Sequence, residues 1–137
     1  MDPLLRSLLA GGLGGFASSW SSWLITGVLF HRFQRATPAT WRPEGALQYA
    51  LSSVLATVGG AGFGLLYFST GGLLYFVSPH WWLQGAAFGA LLWLAVLLPA
   101  LLGLAIFINL HRGVVAGLAL DWLVRAILVG ATCAWFA

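Results

Sequence analysis

Four long apolar runs divide the chain, at residues 4–30, 46–68, 81–110 and 114–136. A run of about 20 apolar residues, at 1.5 Å per residue, crosses a hydrocarbon core of roughly 30 Å. Each run therefore predicts a membrane-spanning helix. The expected fold is all-α: a single integral membrane domain, 1–137, built as a bundle of four transmembrane helices at about 4–30, 46–68, 79–110 and 114–136. The third is long enough to tilt or protrude, and Pro99 predicts a kink because it lacks an amide donor and clashes with the preceding turn. An N-terminal signal peptide is disfavoured, because the first run continues through Trp20, Trp23 and Ile25 without a small-residue cleavage site.

Between the runs, residues 31–45 form the only sizeable polar segment, with Arg32, Arg35, Arg42 and Glu44. Thr37-Pro38 suits a short interfacial turn, and Pro43-Glu44 suits the start of the second helix. Trp41 and the His80, Trp81, Trp82 group fit the headgroup belts, with residues 73–77 along the interface and Ser78-Pro79 capping helix three. The first loop and the short Arg112 turn share one side and hold four Arg, against Arg6 on the other. The positive-inside rule then puts both termini outside the cytoplasm, most simply in a bacterial inner membrane.

Helix one is the least hydrophobic run. Gly14, Ser18, Ser22 and Thr26 recur every fourth position, beside Gly11 and Gly15. Helix two carries Gly60 and Gly64 in line with Ser52 and Ala56, and helix three carries Gly85 and Gly89. Such stripes admit close helix approach where lipid removes the hydrophobic driving force between helices. Three glycine-spaced motifs exceed what one small bundle obviously needs. The expected partners are thus the lipid bilayer and either a second copy of the chain or another membrane subunit.

Asp121 and Arg125 are the exceptional positions. Only 7% of residues are charged, and an isolated charge at mid-membrane depth costs roughly 2.5–3.5 kcal/mol on insertion scales. Their i,i+4 spacing puts both on one helix face, where they neutralise each other. Two readings stay open: a site for a polar solute, proton or ion, or a self-neutralised pair that fixes packing. Ser18, Ser22, Thr26, Gln48, Ser52, Gln84 and Thr132 are candidates to line a polar cavity with it. The competing reading is that Ser and Thr in such helices bond their own backbone carbonyls.

Composition narrows the function classes further. With 61% hydrophobic residues, eight Trp and a mean hydropathy of +0.94, this is no soluble domain. The pI of 9.8 reflects Arg at helix ends rather than a basic stripe with interleaved aromatics, so nucleic acid is not an expected partner. One cysteine, Cys133, permits no intrachain disulfide and no CxxC site. His31 and His111 fall near the same surface but lack carboxylate or thiolate companions, so neither a metal nor a cofactor is expected. No GxSxG, HExxH or phosphate loop is present, and no enzymatic activity is expected.

A weak internal likeness, Leu29-Phe30-His31-Arg32 against Asn109-Leu110-His111-Arg112, raises the idea of two similar hairpins. The segments Gly85-Ala-Ala-Phe-Gly89, Leu92-Trp93-Leu94, Pro99 and Gly117-Leu-Ala-Leu-Asp121-Trp122 resemble a bacterial family of small four-helix membrane proteins of unknown function. The resemblance covers about half the chain and implies only the fold. The leading functional expectation is a non-enzymatic membrane protein acting through helix-mediated assembly. The alternative is a minimal transporter or channel with Asp121 and Arg125 in its pathway.

Overall fold

A computed structural model describes residues 2–36, 45–70, 80–107 and 110–137. Among these residues the protein is all-helical, with no strand. The expected features at Thr37-Pro38, Trp41, Arg42, Pro43-Glu44, residues 73–77 and Ser78-Pro79 lie outside the described residues. Helix α1 spans Pro3–Ser22 and continues as a π-helical stretch, Trp23–Leu29. A short α2, His31–Arg35, follows, and then α3, Ala46–Thr70. Helix α4, Trp81–Leu92, runs through a second π-helical stretch, Trp93–Leu97, into α5, Leu98–Phe107. Helix α6, Arg112–Phe136, completes the chain.

Local chemistry accounts for these boundaries. Asp2 caps α1, its carboxylate accepting the Leu4 amide at 2.7 Å, and Pro3 occupies the first turn, where no amide is required. The second π-helical stretch abuts Pro99. That residue has no N–H for the preceding ladder, and the Leu98 amide instead reaches five residues back to the Trp93 carbonyl. The first stretch closes in the same way, with the Phe30 amide donating to the Ile25 carbonyl at 2.9 Å.

Three helical segments are long and apolar enough to cross a membrane: Ala46–Thr70, Trp81–Leu102 and Arg112–Phe136. Their outer faces agree with that environment. Leu47, Leu51, Val54, Leu55 and Val58 are exposed along α3, and Trp81, Trp82, Leu94, Leu104, Leu128 and Trp135 are exposed elsewhere. Exposed apolar surface on this scale is a lipid-facing coat rather than a soluble surface. The interior is the reverse, made mostly of small groups, with Leu101, Val114 and Val129 among the larger buried side chains. In α1 the buried residues are Ser7, Ala10, Gly11, Gly14, Gly15 and Ser18, and in α3 they are Gly60 and Gly64.

The helices pack in the order α3, α1, α6, α4, each antiparallel to its neighbour. Gly11 and Gly15 of α1 meet Gly60, Gly64 and Ala56 of α3 so closely that any Cβ would strike backbone atoms. Gly85 and Gly89 of α4 cross Ala126, Gly130 and Ala134 of α6 in the same manner. Between these two pairs, Gly14 lies against Val129 and Thr132. The chain ends come together, since an Arg6 guanidinium nitrogen donates to the Ala137 carbonyl at 2.8 Å. All three glycine-spaced motifs are therefore occupied inside one chain and supply no argument for a contact between copies.

The glycines differ sharply in what surrounds them, and this gives a direct test of the packing. A Cβ at Gly60 would meet Gly11 and Gly15 backbone, whereas one at Gly59 meets nothing within 4 Å. Overpacking typically costs about 1–3 kcal/mol, while replacing an unconstrained helical glycine by alanine gains roughly 0.5–1 kcal/mol. Gly60→Ala is expected to lower the unfolding midpoint in a detergent titration, and Gly59→Ala to leave it unchanged or raise it.

Candidate functional site

The bundle places Asp121 in the middle third of α6, buried to 2% exposure between α6 and α1. Its Oδ2 accepts a hydrogen bond from Ser22 Oγ at 3.0 Å, across 99 positions of sequence. Arg125 Nε lies 3.3 Å from the same oxygen, one turn along the helix. The expected i,i+4 pair thus forms, with Ser22 as a third member from the facing helix. Asp121 Oδ1 and Arg125 Nε have no hydrogen-bond partner among the described residues. The Nε contact is accordingly an ion pair without hydrogen-bond geometry.

The surroundings seal the aspartate. On the side nearer the Arg-rich segment, the Phe30 ring packs on Gly117, one turn from Asp121, and Phe33 packs on Gly113. Phe33 also stacks on His111 with centroids 5.2 Å apart. Gly117 is therefore a seat for an aromatic ring and not part of an open polar approach. Trp93, at the end of α4, also fastens α6, its indole N–H donating to the Ala119 carbonyl at 2.9 Å. Ser22 immediately precedes one π-helical stretch and Trp93 begins the other, so both helical irregularities start beside the Asp121 turn. Such irregularities are found disproportionately at functional positions.

The seven cavity candidates separate into groups. Ser22 reaches Asp121. Ser18, Gln48 and Ser52 line a cavity of about 770 Å³ together with Arg125, whose side chain is 23% exposed. Thr26 and Thr132 instead donate to carbonyls four residues back, those of Ser22 and Leu128, both at 2.8 Å. Gln84 sits at the start of α4 and is not among the cavity-lining residues. Ser18 itself donates to the Gly15 carbonyl at 2.7 Å. Backbone satisfaction is thus the role shown by most of these hydroxyls.

The histidines have local structural roles. His111 is the N-cap of α6, its Nδ1 accepting the Gly113 amide at 3.1 Å, and not a helix C-terminal group as its position after the third run suggests. His31 Nδ1 lies 3.3 Å from Gln34 Oε1. Among the described residues no group of three or more His, Cys, Asp or Glu is placed to hold a metal ion. Sequence reasoning missed Trp93 and the two Phe seats. A glycine at 113 and another at 117 on the Asp121 face was the available signal for the seats. No family model, curated protein or solved structure matches the chain.

Chemically, the arrangement fixes the buried Asp121 carboxylate between a guanidinium of its own helix and a hydroxyl of the facing one. Removing one member of a buried pair strands the other and typically costs about 3–5 kcal/mol, whereas removing both is often near neutral. Asp121→Asn and Arg125→Gln are each expected to destabilise the protein more than the double substitution does. A double-mutant cycle on unfolding midpoints measures the coupling, and purely additive effects would show that the two side chains do not interact.

Proposed function

We propose that the chain is a non-enzymatic membrane protein of four transmembrane helices, with helix three bent at Pro99, that acts through helix-mediated assembly. It serves as an accessory subunit or forms a homo-oligomer, in a bacterial inner membrane with both termini outside the cytoplasm. Burial of Asp121 at a helix crossing, closed by Ser22, Phe30 and Trp93, carries this reading. A carboxylate buried in its contact with the facing helix acts as a lock on helix register, and a translocation pathway needs a carboxylate that solvent or solute can reach. Because the glycine motifs are internal, contacts to a partner use the apolar outer faces.

One observation favours a second reading, that of a minimal transporter or channel. Arg125 lies on the wall of the cavity that Ser18, Gln48 and Ser52 share. A solute entering there meets a guanidinium while Asp121 stays behind it.

Two measurements on purified protein in nanodiscs and planar bilayers separate these readings. Assembly predicts a particle mass above that of one chain, or a stable complex with a defined subunit, and no conductance above that of the empty bilayer. A strictly monomeric mass in mild detergent and in nanodiscs removes self-association. Ion conductance abolished by the Asp121→Asn, Arg125→Gln double variant, with folding retained, replaces the assembly reading by transport.

A further inference from the structure

The four-helix packing is not closed. The pairs α1 with α3, α1 with α6, and α4 with α6 approach backbone to backbone, but α3 and α4 do not. Their seam is bridged at one end, where Phe88 of α4 meets the rings of Phe63 and Tyr67 edge-on at 5.4 Å and 5.2 Å. Above that bridge the seam is the cavity of about 770 Å³, walled by α3 on one side and by Leu92, Leu97, Trp122 and Ala126 on the other. Two glycines on its wall, Gly59 and Gly62, have open space where a Cβ would stand.

We infer that this seam is the binding site of one membrane-lipid hydrocarbon chain, oriented with its oxygen-bearing end toward Arg125 and Gln48. Dimensions select the chain. On α3 the lining runs from Gln48 to Leu66, about 27 Å at 1.5 Å per residue. At one end Phe88 is in ring contact with Phe63 and Tyr67, which leaves no room there for a helix roughly 10–12 Å across. A helix therefore cannot run the length of the seam, whereas an extended hydrocarbon chain matches an opening that spans most of the hydrocarbon thickness.

The polarity of the wall sets the direction. Gln48, Ser52, Ser18 and Arg125 fall in the half toward the Arg-rich segment. Leu51, Leu55 and Trp122 stand among them, and Phe63, Leu66 and Val129 line the half that ends at the Phe88 bridge. An amphiphile's acceptor oxygens thus meet donors while its tail meets only apolar groups. Arg125 has five N–H donors, more than one carboxylate can take, so donors remain for an ester or carboxylate oxygen. Volumes of 300–1,000 Å³ with apolar walls and a few convergent polar groups are typical of such sites.

Native mass spectrometry of the purified full chain tests this, after delipidation and titration with either oleate or a palmitoyl-oleoyl phosphatidylcholine. The wild type is expected to retain one lipid per chain, and preference between the two probes distinguishes a free carboxylate from an ester-linked chain. Gly59→Leu, Gly62→Leu and the double variant fill the seam where the fold leaves space, and should reduce retained lipid at least tenfold with unchanged helical circular dichroism. Each single variant is measured separately, so misfolding of one leaves the other informative. A wild type that retains neither probe, or folded filled variants that retain it as well as wild type does, overturns the inference.

Discussion

Close backbone contact at small residues is the constraint on which this structure depends. Lipid tails are as apolar as leucine, so burying leucine between helices gains little there. What remains is dispersion at short range, and only glycine, alanine and serine let two backbones come near enough to collect it. Helix α1 shows the consequence most clearly. One side carries Gly11 and Gly15 into α3, and the other carries Gly14 and Ser22 into α6. The least apolar of the long helices is thus packed on two sides. It is absent from the segments that are apolar enough to span a membrane by composition.

The ion pair works within that constraint. At a crossing already tight at Gly14, the Asp121 carboxylate is fixed by Ser22 from α1 and by Arg125 from its own helix. A neutral pair costs less than an isolated charge, and its hydrogen bond specifies one register of α1 on α6. Phe30 packs on Gly117 one turn away, and Trp93 ties α4 to the Ala119 carbonyl of the same helix. Tight packing on three faces of the bundle leaves the fourth open, and the open seam is where the polar residues not needed for packing collect.

The elements were largely legible in the sequence, but their pairing was not. The apolar runs located α3 and α6 within about two residues of Ala46–Thr70 and Arg112–Phe136, because helix termini coincide with the loss of apolar residues. The glycine stripes identified packing faces, yet a stripe does not name its partner. Hence Gly11, Gly60 and Gly85 looked sufficient for contacts between copies, although all three lie inside one chain. Asp121 stood out through its rarity. Its contact with Ser22 joins positions 99 residues apart, which no local pattern encodes. The seam was invisible because it arises from a contact that α3 and α4 do not make.

Since α1 is held by its neighbours rather than by its own hydrophobicity, membrane insertion of this helix is the most direct measurement. Glycosylation mapping can score residues 3–29 as an isolated segment and again within the full chain. The account predicts poor insertion of the isolated segment and near-complete insertion in the full chain, reduced by Gly15→Leu or Asp121→Leu. Equal and efficient insertion of the isolated segment, indifferent to both substitutions, would contradict it.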